Sequence, residues 1–104
     1  MPRIAFTMKL HPGQETEYER RHRAIWPALA DLLRAYGISQ YSIHQDRESG
    51  LLLGCLTIGD ERRLDELASE PLMKTWWTYM KDIMETHEDH SPVTTRLREV
   101  FFLP

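Results

Sequence analysis

The chain has almost no means of building a covalent scaffold: it contains a single cysteine. Cys55 lies inside the apolar run Leu51 to Ile58, so no disulfide can close within the chain. A lone thiol among aliphatic neighbours reads as a small buried hydrophobe in a reducing compartment, the cytoplasm, rather than as a nucleophile. Long hydrophobic runs are missing too. Leu51 to Ile58 is the longest such stretch, far short of the ~20 residues that a membrane helix needs, and the N-terminus has no apolar signal region, so no membrane association is expected. An excess of positive charge is also absent: thirteen Lys and Arg stand against sixteen Asp and Glu, for a net charge of -3 with the two signs interspersed, which argues against a nucleic-acid partner. The one basic cluster, Arg20 to Arg23, is interrupted by His22 and follows Glu15, Glu17 and Glu19, the pattern of a solvated helix face. The sequence shows no glycine-rich phosphate loop, nucleophile elbow, cysteine motif, internal repeat or low-complexity segment.

A chain of 104 residues without a linker is expected to form one domain over 1–104. At that size roughly two-thirds of the unfolded surface can be buried, so association with a second copy would add much.

The hydrophobic period sets the order of elements. Residues Arg3 to Leu10 alternate, with Ile4, Phe6, Met8 and Leu10 on one side, and His11, Pro12 and Gly13 end the strand. A helix is expected from about Gln14, where Glu15 and Glu17 suit its positive end and Tyr18, His22, Ile25 and Leu29 trace one face. Pro27 breaks it near Ile25 and Trp26 and restarts it, and the stripe Leu29, Leu32, Leu33, Tyr36 runs to Gly37 at the position of a left-handed cap. Ser39 to Gln45 and Leu51 to Ile58 read as a hairpin around the turn residues Asp46 to Gly50. A short helix through Leu64, Leu67 and Ala68 precedes a longer one, capped by Ser69, opened by Pro71 and reaching about Met84. Glu85 to Thr95 is polar and irregular, and Leu97 to Leu103 reads as the last strand.

This β-α-β-β-α-β order predicts an α+β, ferredoxin-like fold with an antiparallel sheet and its helices on one face. Leu51 to Ile58 and Val100 to Leu103 present apolar groups to both faces, and no further helices remain to cover the second one. A second subunit packed sheet to sheet is the expected cover.

Candidate chemistry concentrates on two helices. Tyr18 and His22 are four residues apart and project from one face toward the sheet, an arrangement that serves a core histidine as well as an acid-base group. Trp76 and Trp77 point about 100 degrees apart on their helix, so at least one is expected to edge a cavity or an interface. His87 and His90 have an H-x-x-H spacing, but no Cys or third His lies nearby to complete a metal site.

The segments Tyr18-Glu19-Arg20-Arg21-His22 and Ile25-Trp26-Pro27 are harder to read as generic. With Trp76-Trp77, Tyr79-Met80, Asp89, Ser91-Pro92 and the ending Glu99-Val100-Phe101-Phe102-Leu103-Pro104, they give the chain a full-length resemblance to the L-rhamnose mutarotase family. That resemblance implies a homodimer in the dimeric α/β-barrel group of ferredoxin-like proteins. It also implies interconversion of the α and β anomers of L-rhamnopyranose without a cofactor. Position by position, it makes His22 the proton donor and Tyr18, Tyr41, Trp76 and Trp77 the sugar-binding residues. The chemistry suits the residue types. A histidine transfers protons in either direction near neutrality, and aromatic rings cover the methyl and C–H face of a 6-deoxy sugar while phenols bond its hydroxyls. The base that removes the anomeric proton is left open between Tyr18, a water and a carboxylate. Two rival readings share the fold: a cofactor-independent monooxygenase acting on an aromatic substrate, and a non-catalytic sugar-binding dimer.

Overall fold

In the computed structural model, which describes residues 2–104, four strands form one antiparallel sheet in the order β2-β3-β1-β4. The elements are β1 (Arg3–Lys9), α1 (Glu15–Arg23), α2 (Pro27–Ala35), β2 (Ile38–Asp46), β3 (Leu51–Ile58), α3 (Arg63–Ala68), α4 (Pro71–Met80) and β4 (Thr95–Leu97). The expected α+β order is present. β1 and β3 lie at the centre, paired from Arg3↔Thr57 to Lys9↔Leu51, and β2 pairs with β3 from Ile38↔Ile58 to Asp46↔Leu51.

Period-2 alternation sorts the sheet into two faces. Ile4, Met8, Leu52, Leu56 and Ile58 face the helices and are buried with Leu29, Leu67, Trp76 and Met80. Complete burial of a side chain of this kind contributes roughly 1.5–3 kcal/mol, so this face supplies the core. The opposite face keeps Leu51, Leu53 and Leu97 at 42 %, 37 % and 40 % exposure.

Proline and glycine act where expected in the first helical layer. Trp26 adopts an extended conformation (φ -62°, ψ 126°) and Pro27 opens α2. Gly37 follows α2 at φ +83°, a conformation that a Cβ would penalise, and its N–H bonds the Arg34 carbonyl at 2.9 Å.

Three boundaries differ from the sequence reading. Ser69 does not cap α4: it ends α3, where its hydroxyl donates to the Glu66 carbonyl at 2.7 Å, and Glu70 is the N-cap residue instead. α4 stops at Met80 rather than near Met84, because the chain turns there to lie beside β1. Met84 bridges to Leu10, and the Ile83 carbonyl accepts from the His11 N–H at 2.9 Å. The third correction concerns Leu97–Leu103, which among the described residues enters the sheet only at Leu97, the end of the Thr95–Leu97 ladder against Thr7–Ala5. Consecutive apolar residues suit a strand covered on both faces, and the described residues leave most of this tail uncovered. Val100, Phe101 and Leu103 are 89 %, 75 % and 78 % exposed, and Arg3 holds the tail through Glu99 and the Phe102 ring.

No helix among the described residues is long and apolar enough to cross a membrane.

Candidate active site

A cavity of about 1100 Å³ opens between the inner face of the sheet and the helices, and Tyr18, His22, Tyr41, Trp76 and Trp77 all line it. The five residues singled out in the sequence therefore converge on one space, although they come from α1, β2 and α4.

The i, i+4 spacing on α1 places the Tyr18 and His22 rings in a stack, 4.2 Å between centroids and 26° between planes. His22 Nδ1 lies 3.1 Å from the Tyr18 carbonyl oxygen. A carbonyl can only accept, so Nδ1 carries the hydrogen; in the neutral ring, Nε2 then holds the free lone pair. Burial lowers the His22 pKa below its ordinary 6.5, and the bond to the Tyr18 carbonyl opposes that shift in part. Near neutral pH the imidazole is therefore uncharged, with Nε2 able to accept a proton.

Around it stands an aromatic cluster. Trp76 presents its ring at 89° to His22, 5.4 Å away, and crosses Trp26 at 88° and 4.9 Å. Tyr79 stacks on Trp26 at 5.5 Å and tilts against Trp76 at 5.6 Å. Edge-to-face pairs of this kind add about 0.5–1.5 kcal/mol each beyond the area they bury. The two adjacent indoles divide as their 100-degree offset requires: Trp76 is buried at 6 %, while Trp77 is half-buried on the cavity wall.

Tyr41 reaches the cavity by an irregularity in β2. Ser39 pairs with Thr57 and Ser42 with Cys55, so Gln40 and Tyr41 together oppose Leu56. This β-bulge, with Gln40 at φ +50°, resets the alternation and brings Tyr41 beside Phe6, 6.3 Å between rings. Desolvation against the cavity wall pushes the Tyr41 hydroxyl up to about 12, although 38 % of the residue's surface stays exposed. Burial raises the Tyr18 hydroxyl still further. Both phenols stay protonated across the physiological range.

The cavity floor depends on a missing side chain. The far end of the Phe6 ring lies over its ladder partner Gly54, and a Cβ there would fall 2.5 Å from Phe6 Cζ. Glycine in mid-strand was the available signal for this close approach, but the apolar run around it reads simply as strand. Trp26 was read from the sequence as the break before Pro27 and as part of the Ile25-Trp26-Pro27 segment, but not as a member of the aromatic cluster.

The remaining candidates stay apart from the cavity chemistry. His90 Nδ1 lies 3.2 Å from the Thr78 hydroxyl, and the His87 N–H bonds the Ser91 carbonyl at 2.8 Å, a loop-closing contact. Among the described residues there is no group of three or more His, Cys, Asp or Glu able to hold a metal. Among the described residues Glu19 is the one carboxylate on the cavity lining, and Arg23 and Arg47 approach it at 2.7 Å and 3.7 Å.

A family model described as L-rhamnose mutarotase matches residues 3–103. A protein named L-rhamnose mutarotase from Rhizobium meliloti (strain 1021) is 50 % identical over 103 residues, covering 99 % of both chains. One of the same name from Jannaschia sp. (strain CCS1) is 47 % identical over 104 residues, covering 100 % of both. Among solved structures, the L-rhamnose mutarotase of Formosa agariphila superposes with a TM-score of 0.93 at 39 % identity over 100 % of each chain. An antibiotic biosynthesis monooxygenase superposes with a TM-score of 0.53 at 10 % identity, over 96 % of this chain and 99 % of the other, a likeness that concerns the fold alone.

Proposed function

The chain belongs to the L-rhamnose mutarotase family, and from that premise we propose that His22 is the proton-transfer residue of an isomerase interconverting the α and β anomers of L-rhamnopyranose. The observation that carries the assignment is the Nδ1 contact with the Tyr18 carbonyl, which leaves Nε2 basic within an aromatic-walled cavity.

Mutarotation breaks and remakes one bond, C1–O5. The proton on the anomeric oxygen O1 leaves, O5 gains a proton, and the aldehyde forms; rotation about C1–C2 then lets O5 add to the opposite carbonyl face. The base is the step left open by sequence. Glu19 is engaged by Arg23 and Arg47, and the Tyr18 and Tyr41 phenols hold their protons, so neutral His22 is the available acceptor on the cavity lining. Because O1 and O5 are bonded to the same carbon, one imidazole can take the proton from O1 and deliver it to O5. His22 is thus base and then donor within one ring opening, and the reverse transfer recloses the ring with no net proton change. Trp76 and Trp77 cover the methyl and C–H face of the sugar, and the two phenols bond its hydroxyls.

The same reading makes the protein a single-domain cytoplasmic homodimer in rhamnose metabolism. A second copy packs on the outer sheet face bearing Leu51, Leu53 and Leu97, and the two sheets form an α/β barrel.

Saturation-transfer NMR on equilibrated L-rhamnose tests the reaction directly. Wild-type protein is expected to transfer saturation between the two anomeric protons. His22→Ala should lower the catalysed rate by about 10² to 10⁴ with the fold retained, the usual contribution of a positioned acid-base group. Equal activity in a folded His22→Ala protein removes His22 from the mechanism. Exchange at the background rate with wild type refutes the mutarotase reading.

A further inference from the structure

Arg21 stands next to His22 on α1 but is absent from the cavity lining. Its side chain is the one charged group that the fold buries among the described residues, at 9 % exposure. Its guanidinium is held on three sides. Nε donates to Glu17 at 2.8 Å, and Nη1 and Nη2 donate to Asp82 at 2.9 and 3.1 Å. Nη1 also donates to the Tyr79 carbonyl at 2.7 Å, and the guanidinium plane lies over the Tyr79 ring, 4.5 Å from its centroid.

These contacts join two elements that the sequence keeps far apart. Glu17 lies on α1, whereas Tyr79 and Asp82 lie at the end of α4 and in the turn after it. Tyr79 in turn packs on Trp26 and Trp76, and Trp76 sets its ring at right angles to His22. The cavity wall with the proton-transfer group and the wall with the indoles are therefore fixed to each other through one guanidinium. Aromatic contacts alone tolerate sliding, whereas a fork of directed, charge-assisted bonds does not.

We propose that Arg21 is a positioning residue for the rhamnose reaction, locking the helix of Tyr18 and His22 against the helix of Trp76 and Trp77. The proposal rests on the mutarotase reading. It assigns Arg21 no contact with the sugar; its effect passes through the distance between His22 and the bound ring, where displacement of about 1 Å can cost as much as 10²-fold in rate.

The test compares wild type with Arg21→Met, Arg21→Lys and Asp82→Asn at a temperature where each remains folded. Anomer exchange is followed across rhamnose concentrations, and near-ultraviolet circular dichroism reports the Trp26–Trp76–Tyr79 cluster. Arg21→Met is expected to lower kcat about tenfold with KM changed by less than about threefold, because positioning acts on the transition state more than on binding. Arg21→Lys should recover part of that loss and part of the aromatic signal, since an ammonium makes some of the bonds without the fork. Asp82→Asn should move kcat in the same direction by less. A lower melting temperature with kcat at the wild-type value in Arg21→Lys and Asp82→Asn overturns the proposal and leaves Arg21 a structural ion pair; those two variants decide if Arg21→Met does not fold. Wild-type protein without exchange activity refutes the mutarotase reading instead, and the aromatic signal then still decides whether Arg21 orders the cluster.

Discussion

Leu52 and Leu53 are chemically identical neighbours in β3, yet one is 0 % exposed and the other 37 %. Leu52 points into the layer of helices beside Met8, its ladder partner, while Leu53 points with Thr7 and His44 to the other side of the sheet. The inner face has its apolar demand met by α2 and α4 of the same chain. The outer face, with Leu51, Leu53 and Leu97, has no such cover among the described residues, and the exposed tail Val100–Leu103 follows β4 after two intervening residues. Alternation in a strand therefore identifies the two faces, but whether a face is covered depends on how many helices the chain can supply.

The strongest way to break this comparison is to truncate the two leucines separately. Leu52→Ala should cost about 2–5 kcal/mol in denaturant unfolding, the range for a buried leucine whose cavity cannot collapse. Leu53→Ala should cost much less in dilute solution and should show itself as weaker self-association in sedimentation equilibrium, because the outer face is the proposed dimer surface. Equal losses at every protein concentration would mean that the faces are not energetically distinct.

A smaller effect sharpens the account of the inner face. Gly54→Ala places a methyl group where the Phe6 ring now lies, and overpacking of this kind costs about 1–3 kcal/mol. Phe6 should shift toward Tyr41 and raise KM for rhamnose while kcat changes little. An unchanged KM would show that the floor under Tyr41 has no part in sugar binding.

The smallest expected effect is in pH dependence. His22 is buried and its pKa is depressed, so the unfolded state binds more protons just below 6.5. Stability from this group is complete above that value and declines as pH falls toward the lower folded pKa. The rate should follow the same direction, rising through a midpoint below 6.5 and reaching a plateau by neutrality, since the base form starts the reaction in the proposed mechanism. A rate that falls as pH rises through that window would mean that the reaction begins from imidazolium. On the solvent side of α1, Glu17 is held at about 2 by bonds to Arg20 and Arg21. Its contribution is present above 4.5 and is lost as pH falls toward about 2, so the two groups separate along the pH axis.

The order of elements was legible because period 2 and period 3.6 differ sharply in β1, β3 and α2, and because Pro27, Gly37 and Pro71 punctuate them. Boundaries were less legible where tertiary contacts decide them. The pattern Met80, Ile83, Met84 continues a helical stripe, but the backbone bonds of Ile83 and Glu85 go to His11 and Lys9 instead. The tail read as a strand because its residues are apolar, and strand character depends on a neighbour that composition does not reveal. At the site, resemblance supplied five positions that the geometry places on one cavity. Arg21 escaped notice because a basic residue among Glu17, Glu19 and Arg20 looks solvent-facing; its burial depends on Asp82, sixty-one positions away.

The bulge in β2 has a further consequence, for how the protein fares at high concentration. β2 is an outermost strand of the sheet, and an unbroken row of free N–H and C=O groups there would template an incoming strand from another molecule. Gln40 and Tyr41 interrupt that row, with two residues set against one on β3 and one of them in the left-handed region. An arriving strand would lose register after only a few bonds, so open-ended growth along this edge is disfavoured even in a crowded cell. The same extra residue that brings Tyr41 to the cavity also guards the chain against fibre formation.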